Sequence, residues 1–179
     1  VGLIDDLFIT ANIVAIDGVG GILGAAGPTG LRGGSFLPYS GDMIFDSADV
    51  ADLIANNEFD EVILHEMGHV LGFGTIWDLK GFLLNPGTAN PQYNGALATA
   101  QYNSRFGVAG VSVPVEGLPA GPGTADGHWR ESVFINELMT GYLDSGVPNP
   151  ISSITIAQFA DLGYTVNIGQ ADPYLVAPG

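Results

Sequence analysis

The chain has 179 residues and a formal charge of -15, with four Lys and Arg against 19 Asp and Glu, so a nucleic-acid backbone or an anionic membrane surface would repel it and neither is expected as a partner. It contains no cysteine, which excludes disulfides and thiolate metal sites and leaves histidine and carboxylate to hold any metal. Apolar residues at 46% supply a core, 27 Gly and 11 Pro imply many turns, and the length suits one compact unit of class α+β over residues 1–179.

In chain order, Leu7 to Ile16 (LFITANIVAI) alternate roughly between apolar and polar residues, which predicts a strand ending at the turn Asp17-Gly18. The glycine-rich stretch Gly18 to Leu31 shows no strong periodicity. It is too short and too rich in Gly and Pro to cross a bilayer, and it lacks the GK[ST] ending of a phosphate loop. SFLPYSGDMIFD reads as a strand interrupted by Pro38, which predicts an edge strand, and an edge around Ile44 can hold an extended peptide by β-augmentation. A short helix is expected from Asp46-Ser47 through Asn56. In EFDEVILHEMGHVLGFG, the residues Phe59, Val62, Ile63, Met67, Val70 and Leu71 recur at helical spacing and Gly72 and Gly74 end the pattern. Trp77 to Asp126 reads as loop apart from a helix around Gly95 to Ser104, and so long an irregular region usually has a functional reason. A helix around Ser132 to Leu138, a turn at Thr140-Gly141 and a helix in ISSITIAQFADLGY complete the pattern; Ser153 is expected to cap the last, with Ala157, Phe159, Ala160 and Leu162 inward.

The chemistry concentrates in His65-Glu66-Met67-Gly68-His69, an HExxH motif inside a predicted helix. Residues four apart share a helix face, so both imidazoles can reach one ion. Glu66 then points beside the metal as a general base for a water whose pKa zinc lowers to about 7. A catalytic zinc takes three protein ligands and keeps one position open. The compact pattern HExxHxxGxxH has Gly72 in place but ends on Thr75, a poor ligand. If the third ligand is a histidine it must be His128, since the chain has three His. A carboxylate ligand, Glu131 or Glu137, would give the same reaction class.

HEMGHVLGFG, a long insertion, then GHWRESVFINELMTG and ISSITIAQFADLGY together resemble leishmanolysin-type metzincin peptidases over residues 40 to 166. The resemblance implies a small twisted sheet with the active-site helix in an upper lobe, about 1–72, and an irregular lower lobe, about 73–179. It implies His128 as the third zinc ligand, Met139 in a methionine turn beneath the metal, Glu66 as the catalyst, and a zinc endopeptidase acting on protein or peptide substrates. Tyr142 stands one residue too far along to match a tyrosine that approaches zinc in some metzincins. Unlike cysteine-rich leishmanolysin, this chain has no cysteine-based latency within it, and it resembles a minimal catalytic core.

Val1 is not an initiator Met, so a signal or pro-segment is expected to have been removed ahead of it, in keeping with a secreted, monomeric enzyme. The surplus acid reads first as a solvated surface and second as structural Ca²⁺ sites, although Asp42, Asp46, Asp49 and Asp52 do not match an EF-hand loop. The alternative function is a non-catalytic extracellular binding module stabilised by zinc or calcium.

Overall fold

The computed structural model describes residues 6–175, and the chain divides into two compact units after Thr75. The first unit holds a three-stranded sheet of β1 (Phe8–Val14), β2 (Gly24–Leu31) and β3 (Pro38–Asp46) in the order β1-β3-β2, with β1 parallel and β2 antiparallel to β3. Two helices, α1 (Val50–Asn56) and α2 (Phe59–Val70), follow. No described helix is long and apolar enough to cross a membrane.

The strand expected at an edge lies in the centre. Pro38 is the first residue of β3, where a missing ladder N–H is tolerated. Ile44 pairs with Asn12 on one side and Ala25 on the other, so no peptide can add there. The edges are β1 and β2, the latter formed by the glycine-rich stretch that carried no strand signal. Its Pro28 is acceptable because it lies on an edge strand, and register shifts from Pro28 to Leu31 mark an irregular pairing. Small residues serve close packing: a Cβ at Gly41 would lie 2.4 Å from Val70 Cγ1 and 2.9 Å from the Gly27 carbonyl. That proximity brings the sheet against α2, where Val62 and Val70 are buried and Phe59 meets Phe45 edge-on at 5.2 Å.

Two of the acids considered for calcium anchor a loop instead. Asp46 accepts the backbone N–H groups of Asp17 at 2.8 Å, Gly18 at 3.0 Å and Ala48 at 2.9 Å, and Asp49 accepts that of Gly20 at 2.7 Å. The Ala48 N–H, then that of Asp17, holds the Asp46 carboxyl down to about 2. Among the described residues no group of acids gathers as a cation site.

The second unit has a small antiparallel sheet of β4 (Leu83–Leu84), β5 (Gln92–Tyr93) and β6 (Val113–Pro114) within the region read as loop. Helix α3 (Ala96–Phe106) packs on α5 (Ser153–Leu162), and a single turn, α4 (Glu131–Phe134), lies between them in sequence. The core is aromatic: Trp77 stacks on Trp129 at 5.0 Å, Trp129 on Phe134 at 5.5 Å, and Tyr93 meets Trp129 edge-on at 5.7 Å. Helix α4 stops before Leu138 because Ile135 takes a positive φ of 57°. The last helix is capped by Ser152, whose side chain accepts Thr155 N–H, one residue ahead of the expected Ser153. Helix α3 has no side-chain cap of its own; Asp161 of α5 accepts Leu97 and Ala98 N–H at 2.9 Å each.

Candidate active site

Helix α2 brings His65, Glu66 and His69 together as the four-residue spacing predicts. The two Nε2 atoms are 3.0 Å apart and the rings meet at 76° with centroids 4.7 Å apart. His69 is buried at 7% exposure and His65 is half-buried. The end of the helix orients the second ring. Gly72 N–H bonds to the His69 carbonyl and Phe73 N–H to the Gly68 carbonyl, a Schellman-type stop that places Gly72 at φ 111°. This turn carries the Phe73 carbonyl to 3.0 Å from His69 Nδ1. A carbonyl only accepts, so Nδ1 bears the hydrogen and Nε2 is the lone-pair nitrogen.

Glu66 is 4% exposed, and its Oε2 has no hydrogen-bond partner among the described residues. Burial pushes its carboxyl up to about 8. The start of β2 lies against it: a Cβ at Gly24 would fall 2.8 Å from Glu66 Oε1 and 3.1 Å from Cδ and Cγ. Sequence reasoning passed over Gly24 because a glycine in a glycine-rich stretch gives no sign of its neighbour.

His128, 7% exposed, is set by its own surroundings in the second unit. Its Nδ1 lies 3.0 Å from the Thr124 carbonyl, which again makes Nε2 the lone-pair nitrogen. The His128 carbonyl accepts Glu116 N–H at 2.8 Å, and Trp129 N–H donates to the Met139 carbonyl at 3.0 Å. Gly141 permits the close approach of this turn, since a Cβ there would lie 2.4 Å from Thr124 Cγ2 and 3.7 Å from His128 Cγ. Met139 is 1% exposed. His65 and His69 lie in the first unit and His128 in the second, and each ring offers a nitrogen of the kind that can ligate a metal ion.

The two carboxylate alternatives lie in the second unit with His128. Glu137 is fully buried and both its oxygens are taken by neighbouring donors, Oε1 by Ser152 and Thr155 and Oε2 by Met139 N–H. Burial raises its pKa against the opposing pull of those donors. Burial likewise raises the pKa of Glu131. Tyr142 is 56% exposed. The carbonyls of Phe73 and Thr124 were not legible beforehand, because any residue supplies a carbonyl.

The chain is 29% identical over 154 residues to the ciliated left-right organizer metallopeptidase of Xenopus laevis, an alignment covering 73% of this chain and 21% of that relative. The chain thus spans about a fifth of the relative's length. Residues 34–176 match the leishmanolysin family. By that match, which takes in more than half of its residues, the chain belongs to the leishmanolysin family of metallopeptidases.

Proposed function

We propose that the chain is the catalytic core of a zinc-dependent endopeptidase acting outside the cell, with His65, His69 and His128 holding the metal and Glu66 as the general base. The observation that carries this reading is the pair of imidazole nitrogens on α2, 3.0 Å apart, with a buried carboxylate beside them whose Oε2 has no partner among the described residues. Three neutral imidazoles suit zinc, and a site of three protein ligands keeps an open position, as catalytic sites do. A closed structural site would need a fourth ligand, and the chain has no further His and no Cys.

When bound, zinc supplies Lewis acidity to the scissile carbonyl and to the attacking water. Glu66 takes a proton from that water as its oxygen bonds to the carbonyl carbon. The same carboxyl then gives the proton to the leaving nitrogen as the C–N bond breaks. The chain itself forms no covalent bond to the substrate. The outer edge of β2 offers unpaired backbone groups to an extended peptide, and the Gly24 end of that strand lies against Glu66. Met139, buried in the turn after α4, is assigned as the floor of the metal site.

The test is cleavage of an unfolded protein by zinc-loaded wild type and Glu66→Ala of equal metal content, read as new peptide ends by mass spectrometry. New ends with wild type alone support the reading. Equal cleavage by both variants refutes the role of Glu66, and no cleavage by either one favours a binding module.

A further inference from the structure

Glu137 has no part in the mechanism above, yet its carboxylate is fully enclosed and accepts four donors. Oε1 takes Ser152 N–H at 2.9 Å, the Ser152 hydroxyl at 2.7 Å and the Thr155 hydroxyl, while Oε2 takes Met139 N–H at 2.7 Å. An enclosed carboxylate is costly unless its lone pairs are all used, and a neutral amide would supply one acceptor where this site uses two.

Two of the four donors lead on to the residue beside His128. The Met139 carbonyl accepts Trp129 N–H at 3.0 Å. Thr155 Oγ1, while donating to Glu137, accepts the Trp129 indole N–H at 2.8 Å. Trp129 is therefore held at its backbone and at its ring by two routes that meet on one carboxylate. The neighbouring His128 imidazole is held at Nδ1 by the Thr124 carbonyl, and its backbone runs directly into the residue that these two routes clamp.

We propose that Glu137 is a positioning residue for His128, aiming its imidazole by clamping Trp129 through Met139 on one side and Thr155 on the other. The inference rests on His128 being a metal ligand, as read above. Partners that orient metal-binding histidines typically change metal affinity by about 10–100-fold when removed.

Glu137→Gln keeps an acceptor for Ser152 and Thr155 but sets an amide N–H against Met139 N–H. Thr155→Val cuts the route to the indole with little change of shape, and Thr155→Ser restores it. For each variant the full chain is measured for zinc affinity by chelator competition, for the visible spectrum of the cobalt-loaded protein, and for melting without metal. Glu137→Gln and Thr155→Val are expected to weaken zinc about 10–100-fold and to alter the cobalt spectrum, with Thr155→Ser near wild type. Lower melting with zinc affinity within about twofold of wild type and an unaltered spectrum overturns the proposal, leaving Glu137 a role in folding alone. If Glu137→Gln does not fold, the Thr155 pair decides by the same criteria. Wild type that takes up no cobalt or zinc overturns the metal-site reading, whereas wild-type uptake with unaltered variants overturns only the role of Glu137.

Discussion

Gly24→Ala separates catalysis from stability in a direction that ordinary damage to the fold does not. The added methyl would sit 2.8 Å from Glu66 Oε1, so the carboxylate must retreat by roughly half an ångström or more to reach ordinary contact. That retreat is cheap for the fold, because the displaced atoms are the end of a flexible side chain. It is expensive for the reaction, since a displacement of about 1 Å in a reacting group can cost about 100-fold. We expect kcat/KM to fall by about 10–100-fold, or about 1.4–2.7 kcal/mol of transition-state stabilisation. Gly24 lies in a strand without positive φ, so alanine there restricts the unfolded chain and should raise stability by about 0.4–1 kcal/mol. The assays are peptide hydrolysis at matched zinc content and urea unfolding. The control is Gly27→Ala in the same strand, where the nearest atom to the new methyl is Thr75 Cγ2 at 3.9 Å. Undiminished hydrolysis by Gly24→Ala would refute the reasoning, as would an equal loss in Gly27→Ala.

Other consequences are open to the same kind of test. Replacing His128 with Ala removes a proposed ligand rather than its support, so zinc affinity by chelator competition should fall beyond the roughly 10–100-fold range of supporting residues; unchanged affinity would return the third position to a carboxylate. Gly41→Ala forces a methyl against Val70 and the Gly27 carbonyl and should cost about 1–3 kcal/mol in urea unfolding. Asp46 is held at about 2 against an ordinary 3.8, so its stabilising effect is complete above the ordinary value and is lost as pH falls towards 2. Asp46→Asn should therefore lower the melting temperature at neutral pH and flatten its decline between about pH 4 and 2; an unaltered acid limb would contradict the anchoring role.

The helix bearing the metal motif was legible because its apolar spacing, its HExxH pattern and its terminal Gly72 all agree on one structure. β1 was legible for a similar reason, as an apolar run closed by Asp17-Gly18. β2 was not, because Gly24, Gly27 and Gly30 have no side chains to alternate; its strand character comes from pairing with β3 and from room needed by Glu66 and Tyr39. Pro38 misled for a physical reason: a proline marks an edge only when it falls inside a strand, and here it is the first residue. The short strands β4 to β6 depend on tertiary packing around Trp77, Tyr93 and Trp129 rather than on local pattern. At the site, His65, Glu66 and His69 were marked by the HExxH spacing, whereas His128 had no local pattern and was named because the chain has three histidines and through the family resemblance. Glu137 instead invited a reading as a metal ligand until the enclosure of both its oxygens became visible.

The central claim is that three histidines share one zinc ion. A crystal of the zinc-loaded chain, with diffraction recorded on both sides of the zinc absorption edge, tests it most directly. A single strong anomalous peak is expected about 2.0–2.1 Å from the Nε2 atoms of His65, His69 and His128, with no fourth protein ligand. A peak elsewhere, or one bound by a protein carboxylate in place of His128, would contradict it.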